Sequence, residues 1–111
     1  MTLDDYIVKL RARDKEIETT PAMFALAEEA IRCYPLSAKL WCIKGAMIQL
    51  GPVDSGYELE DALGTYRQAI TVEPDCPDGW EELGHYYDVH LNDEKQAEIF
   101  WKKAEALKAQ K

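Results

Sequence analysis

The stretch Ala69-Ile-Thr-Val-Glu-Pro-Asp-Cys-Pro-Asp-Gly-Trp-Glu-Glu-Leu-Gly84 decides the fold, because it repeats a pattern that the chain has already used. At an offset of 39 positions, five residues recur within a window of 16. Five coincidences at one offset indicate an internal repeat, and repeats of this length are typical of stacked structural units. The matching pairs are Ala30 with Ala69, Ile31 with Ile70, Pro35 with Pro74, Trp41 with Trp80, and Gly45 with Gly84.

Each of four helices has a recognisable start or stop signal. Ser, Asp and Asn side chains cap helix starts, Pro fits the first helical turn, and Gly followed by Pro ends a helix. Between these signals, apolar residues recur at three- and four-residue intervals, as a helix face requires. The predicted helices are one from Ser37 to Gly51-Pro52, one over about 57–72, one opening at Pro77, and one opening at Asn92 or Asp93 and running through Leu107.

The first third of the chain has a weaker but consistent helical pattern. Leu3, Ile7, Leu10 and Ile17 lie on one face of a helix of about fifteen residues. Thr19-Thr20-Pro21 would end that helix and begin the next. We therefore predict an all-α fold of six helices in three antiparallel pairs, with no strands. The single domain spans 1–111, in units of about 1–36, 37–75 and 76–111.

The repeated residues resemble a known family, the tetratricopeptide repeat. The last unit resembles its signature most closely, and the middle unit is similar but has Lys44 where the signature has Leu. The middle unit is also longer, by about five residues at Gly51–Tyr57, which we interpret as a longer turn or, alternatively, a contact element. The matching residues are Trp80, Leu83, Gly84, Tyr87, Ala97, Trp101 and Ala104 in the last unit, and Trp41, Gly45, Ala62, Tyr66, Ala69 and Pro74 in the middle one.

The resemblance implies an α-solenoid, a superhelix of three stacked helix pairs. Gly45 and Gly84 would lack side chains where the two helices of a pair cross closely, and the tryptophans are assigned to packing. Residues that face the following unit would be apolar except at the end of the array, where a polar surface is needed. In this sequence they are Phe24 and Ile31, then Leu63 and Ile70, and finally Glu98 and Glu105.

Charge and composition restrict the function. The net charge of −8 disfavours binding to phosphate backbones and anionic lipids, so we expect neither nucleic acid nor membrane as a partner. The first residues are acidic, where a signal peptide would be basic and then apolar. The three cysteines, Cys33, Cys42 and Cys76, show no CxxC spacing and are interpreted as reduced thiols. These observations predict a cytoplasmic protein.

The family resemblance places function in a concave groove lined by the first helix of each pair. It implies a protein–protein interaction module, an adaptor, scaffold or chaperone-like protein that holds a partner segment. No Lys or Arg lies between Arg67 and Lys95, so the partner is expected to be basic; the alternative is a solvated acidic face that keeps the protein soluble. The predicted groove residues are Lys39, Cys42, Ala46 and Gln49 in the middle unit and Asp78, Glu81, His85 and Asp88 in the last.

Two other functions remain open from the sequence. One is a small acidic immunity protein that neutralises a basic toxin. The other is a metal-binding or catalytic protein that uses Glu81, His85 and Asp88, which share a helix face. We expect no catalytic residues, no metal and no cofactor, since the chain lacks a nucleophile elbow and a phosphate-binding glycine loop. The chain is expected to be a monomer or a weak homodimer.

Overall fold

Apolar stripes and helix-end signals produce helices throughout the part of the chain that the structure describes. The computed structural model describes residues 1–11, 21–50 and 56–110, and these contain helices and turns but no strand. The all-α prediction is confirmed for these residues. The helices are α1 (Leu3–Arg11), α2 (Pro21–Cys33), α3 (Ala38–Leu50), α4 (Leu59–Val72), α5 (Pro77–Val89) and α6 (Glu94–Ala109).

The helix ends follow the local signals closely. Pro77 is the first residue of α5, as predicted. Of the two candidates for the cap of α6, Asp93 is the one used, and its carboxylate accepts a hydrogen bond of 3.1 Å from the backbone N–H of Gln96. Asn92 instead adopts a left-handed conformation, with φ 53°. The predictions for Ile17, Thr19-Thr20 and Gly51-Pro52 lie outside the described residues.

The two turns that precede α3 and α5 have the same hydrogen bonds at an offset of 39 positions. The indole N–H of Trp41 donates to the carbonyl of Pro35, and that of Trp80 donates to the carbonyl of Pro74, each at 2.9 Å. The backbone N–H of Ser37 donates to Tyr34, just as that of Cys76 donates to Glu73. The repeat in sequence is therefore also a repeat in backbone geometry at these turns.

Helices that follow one another along the chain pack together, most extensively α3 with α4 and α5 with α6. Two further contacts join helices that are not consecutive, α1 with α3 and α3 with α5. One apolar core runs through all of α1 to α5 in the described residues. Its largest fully buried side chains are Tyr66, Leu10, Leu40, Met47 and Leu83.

Both signature glycines lie under an aromatic ring of the next helix. A Cβ atom on Gly45 would lie 2.8 Å from Cδ1 of Tyr66, and a Cβ on Gly84 would overlap Nε1 and Cδ1 of Trp101. Real Cβ atoms essentially never approach other heavy atoms closer than 3.0 Å, so these rings need glycine beneath them. The predicted role of both glycines in close helix crossing is confirmed.

The apolar and polar residues predicted to face successive units differ in exposure. Phe24 and Ile31 are buried, and a methyl of Ile70 packs against Gly79 at the start of α5. Glu98 and Glu105 are exposed on α6, where Glu98 forms an ion pair of 3.2 Å with Lys102. These two predicted positions on α6 are therefore polar and exposed, beside the exposed side chain of Ile99.

Candidate functional site

A groove is lined by residues of α1, α3 and α5, and α3 contacts both of the other two helices. It encloses a cavity of about 410 Å³ and draws no lining residue from α2, α4 or α6. Such a cavity is within the range of small-ligand or peptide side-chain sites. Its lining residues are Arg11 from α1; Lys39, Cys42, Ile43, Ala46 and Leu50 from α3; and Asp78, Glu81 and Glu82 from α5.

The two main walls of this groove differ in chemistry. The α5 wall carries three carboxylates, Asp78, Glu81 and Glu82. The α3 wall is apolar along most of its length and carries Lys39 at the end near the start of the helix. A ligand with an apolar side chain and a basic side chain on opposite faces would complement both walls.

Glu82 is the most enclosed of the three carboxylates. Burial raises the pKa of Glu82, while the nearby His85 and the hydroxyl of Tyr66 oppose that rise. The hydroxyl of Tyr66 also donates to Oε1 of Gln49 at 2.8 Å, and Nε2 of Gln49 is 2.8 Å from Nε2 of His90. This polar network joins α3, α4 and α5 beside the groove and fixes the side chain of Gln49.

The cysteine in the groove is a buried thiol. Cys42 is 8% exposed, and burial, together with the carboxylates of Glu82 and Asp78, raises its pKa above the ordinary range. Cys76 packs in the same small apolar cluster, and burial raises its pKa as well. A raised pKa keeps these thiols protonated and weakly nucleophilic near neutral pH. All three cysteines are free, in agreement with the prediction of reduced thiols.

Five of the eight residues predicted for the groove line this cavity, namely Lys39, Cys42, Ala46, Asp78 and Glu81. The other three do not. Gln49 belongs to the polar network described above, and the ring of His85 packs edge-on against Trp101 with centroids 5.6 Å apart. Asp88 lies further along α5 and is half-buried.

The predicted alternative ligand set of Glu81, His85 and Asp88 does not come together. Among the described residues, no three His, Cys, Asp or Glu side chains converge on a point that could hold a metal ion. Glu81 instead pairs with the ammonium group of Lys108 on α6, and His85 contacts an indole ring. The structure thus gives Glu81 and His85 separate neighbours rather than a shared site.

Sequence reasoning missed four groove residues: Arg11, Ile43, Leu50 and Glu82. The signal for two of them was available, because Ile43 and Glu82 correspond at the repeat offset of 39 positions. Each follows a predicted groove position by one residue, so the groove face is rotated slightly around α3 and α5. Arg11 could not have been found from the repeat, since α1 lacks the signature.

No family model and no curated protein sequence matches this chain. Within the described ranges, no helix is long and apolar enough to cross a membrane.

Proposed function

We propose that this chain is a non-catalytic protein-interaction module of the tetratricopeptide type, an adaptor that holds a basic segment of a partner protein in the groove on α1, α3 and α5. The observation that carries the proposal is the asymmetry of that groove. Three carboxylates on α5 outnumber the two cations of the cavity, Arg11 and Lys39, and face a wall on α3 that is mainly apolar. Complementary charges of this kind accelerate encounter and fix the register of a bound segment.

The proposed array of three stacked pairs is supported by the packing order. In a solenoid, the first helices of successive pairs touch along one surface, and α1–α3 and α3–α5 are the non-consecutive helix contacts in the described residues. The identical hydrogen bonds of Trp41 and Trp80 support a repeated junction between pairs. A surface built from first helices would form a continuous concave face for an extended or helical segment.

Defined peptides test this proposal directly. We expect a fluorescent peptide of alternating Lys and Leu to bind, and an otherwise identical Glu and Leu peptide not to bind, as measured by anisotropy. The variant Asp78→Asn/Glu81→Gln should weaken binding about tenfold and flatten its salt dependence, because two groove carboxylates are neutralised. The matched control is Asp88→Asn/Glu98→Gln, which removes the same charge outside the cavity.

A second readout locates the peptide. Since Ala46 lies in the cavity wall, a bound peptide should shift its backbone amide signal in nitrogen-correlated NMR spectra, whereas the amide signal of Cys33, outside the cavity, should stay unchanged. Equal loss of binding in the groove variant and the control would mean that only net charge matters. That result, or an Ala46 signal unaffected by saturating peptide, would contradict a groove site.

A further inference from the structure

A second cavity lies between α3 and α4, over Trp41, and shares no lining residue with the groove. Its volume is about 490 Å³. The lining residues are Trp41 on α3, Gly56 and Tyr57 before α4, and Glu60, Asp61, Gly64, Thr65 and Gln68 on α4. The cavity therefore combines an indole with two carboxylates and small or polar side chains.

In the last helix pair, α5 with α6, two side chains cover the tryptophan that corresponds to Trp41. Trp80, the counterpart of Trp41, packs against the ring of Phe100 with centroids 5.9 Å apart. The ammonium group of Lys103 lies 5.7 Å from the centroid of the same indole. Trp80 is thus covered by a planar group and a positive charge from its own chain.

The corresponding positions on α4 are smaller or neutral. Aligned on Tyr66 and Trp101, the two rings that lie over the signature glycines, Phe100 corresponds to Thr65 and Lys103 to Gln68. Thr65 offers no ring and Gln68 no charge, and both line the cavity over Trp41. The space that Phe100 and Lys103 occupy in the last pair is therefore open in the middle one.

Gly64 provides independent support for a binding role. It lies inside α4, where glycine destabilises a helix by about 1 kcal/mol relative to alanine. Unlike Gly45 and Gly84, it has no close packing to explain it, since nothing lies within 4 Å of the position of its Cβ. The counterpart of Gly64 in the last pair is Ile99. Because Gly64 has no side chain, the cavity wall leaves room for a bound ligand at this position.

We propose that the cavity over Trp41 binds the guanidinium group of an arginine side chain presented by a partner protein. A guanidinium combines the planar surface of Phe100 with the positive charge of Lys103, and it stays charged throughout the physiological pH range. Glu60 and Asp61 add negative charge to the cavity wall, which outweighs the single ammonium of Lys44 that lies over the Tyr57 ring. Carboxylates also accept the paired hydrogen bonds that a guanidinium donates.

This site is independent of the groove, so either proposal can fail without the other. The probe is N-acetyl-arginine amide, with the citrulline amide as a neutral analogue of the same shape and the phenylalanine amide as an aromatic one. Nitrogen-correlated NMR spectra report separately on the indole N–H groups of Trp41, Trp80 and Trp101. We expect arginine amide to shift the Trp41 indole and Gly64 amide signals, to leave Trp80 unchanged, and to bind about tenfold more tightly than citrulline amide.

Two variants close the cavity in different ways. Thr65→Phe/Gln68→Lys copies the last pair and should abolish the shift at Trp41. Gly64→Leu should do the same while retaining the fold, because its side chain enters open space. Thr71→Leu, an exposed position on α4 outside the cavity, is the matched control and should bind normally.

Four results would overturn the proposal: no shift at Trp41 with arginine amide at its solubility limit, equal affinity for citrulline amide, tighter binding of phenylalanine amide, or undiminished binding in both filled variants. The last two would indicate an aromatic guest or a different site.

Discussion

The middle helix pair, α3 with α4, and the last pair, α5 with α6, are built on the same plan and differ in how tightly they are enclosed. In the first helix of each pair, the indole N–H of a tryptophan donates a hydrogen bond to a proline carbonyl. In each pair an aromatic ring of the second helix also lies over a glycine of the first. In the middle pair that ring is Tyr66, which is 0% exposed and bonded to Gln49. In the last pair it is Trp101, which is half-buried and whose indole nitrogen is buried without a hydrogen-bond partner in the described residues.

The difference follows from position in the molecule. The middle pair has neighbours on both sides, so its ring is held by α3, by α5 and by a hydrogen bond. The last pair has α4 on one side, and Glu98 and Glu105 of α6 are exposed. The two pairs share a local structure, but the aromatic ring is held more rigidly in the middle pair. The same substitution should therefore change the free energy of unfolding by different amounts in the two pairs.

The largest difference is expected for removal of the two rings. Tyr66→Ala should reduce the free energy of unfolding by about 4 kcal/mol, since it leaves a cavity and removes a donor to Gln49. Trp101→Ala should cost about 2 kcal/mol, because its ring is only partly buried. Urea unfolding monitored by circular dichroism measures both values. Equal losses would mean that the two rings are equally enclosed, contrary to the comparison.

A smaller difference is expected at the glycines beneath the rings. Gly45→Ala should destabilise the protein by about 2 kcal/mol, because Tyr66 cannot move away from the new methyl group. Gly84→Ala should cost about 1 kcal/mol, since the partly exposed Trp101 can shift. The same urea titrations measure both losses.

Gly64→Ala is the control for helix propensity in this series. Its methyl group meets open space, so the substitution should stabilise the protein by about 0.5–1 kcal/mol. Destabilisation by Gly64→Ala would show that all glycine replacements in these helices are harmful, and the other two values would then say nothing about ring mobility.

Replacing the tryptophan in the first helix of each pair tests the hydrogen bond that both pairs share. Trp41→Phe and Trp80→Phe each remove a 2.9 Å hydrogen bond to a proline carbonyl, so each should cost about 1 kcal/mol. Trp80→Phe should cost about 0.5 kcal/mol more, because indole is the better partner for the Lys103 ammonium. Thermal unfolding of the double variant Trp80→Phe/Lys103→Ala should then show a coupling of that size. Full additivity would argue against the cation–π contact.

The smallest effect concerns the groove position where the two pairs differ, Ile43 in one and Glu82 in the other. Burial raises the pKa of Glu82 above its ordinary value of 4.5, so the folded state retains this proton more strongly than the unfolded state. Its contribution to stability is therefore present below pH 4.5 and is lost as the pH rises through the raised pKa. Glu82→Gln should be more stable than the wild type at neutral pH and equal to it in acid.

Urea unfolding at several pH values checks this, with Glu82→Ile as a second variant that copies Ile43. Greater stability of the wild type than of Glu82→Gln at neutral pH would contradict the sign.

Local sequence signals were sufficient where the structure depends on neighbours in the chain. Pro77 and Asp93 fix helix ends through backbone geometry and hydrogen bonds within a few residues, and both lie at positions that the sequence predicted. The repeat offset also identified the glycines at the helix crossings correctly. The groove was predicted less well, because a one-residue rotation of α3 and α5 replaced Gln49, His85 and Asp88 with Ile43, Leu50 and Glu82.

The sequence by itself determined the helical elements and the matching turns, because these depend on interactions between residues close together in the chain and on the internal repeat. It also determined the change from apolar Leu63 and Ile70 to polar Glu98 and Glu105. Only the tertiary structure decided which side chains meet: that Tyr66 donates to Gln49, that Glu81 pairs with Lys108, and that Trp41 faces a cavity where Trp80 is covered. The physical reason is that such contacts depend on helix rotation and on the size of distant residues, which no local pattern specifies.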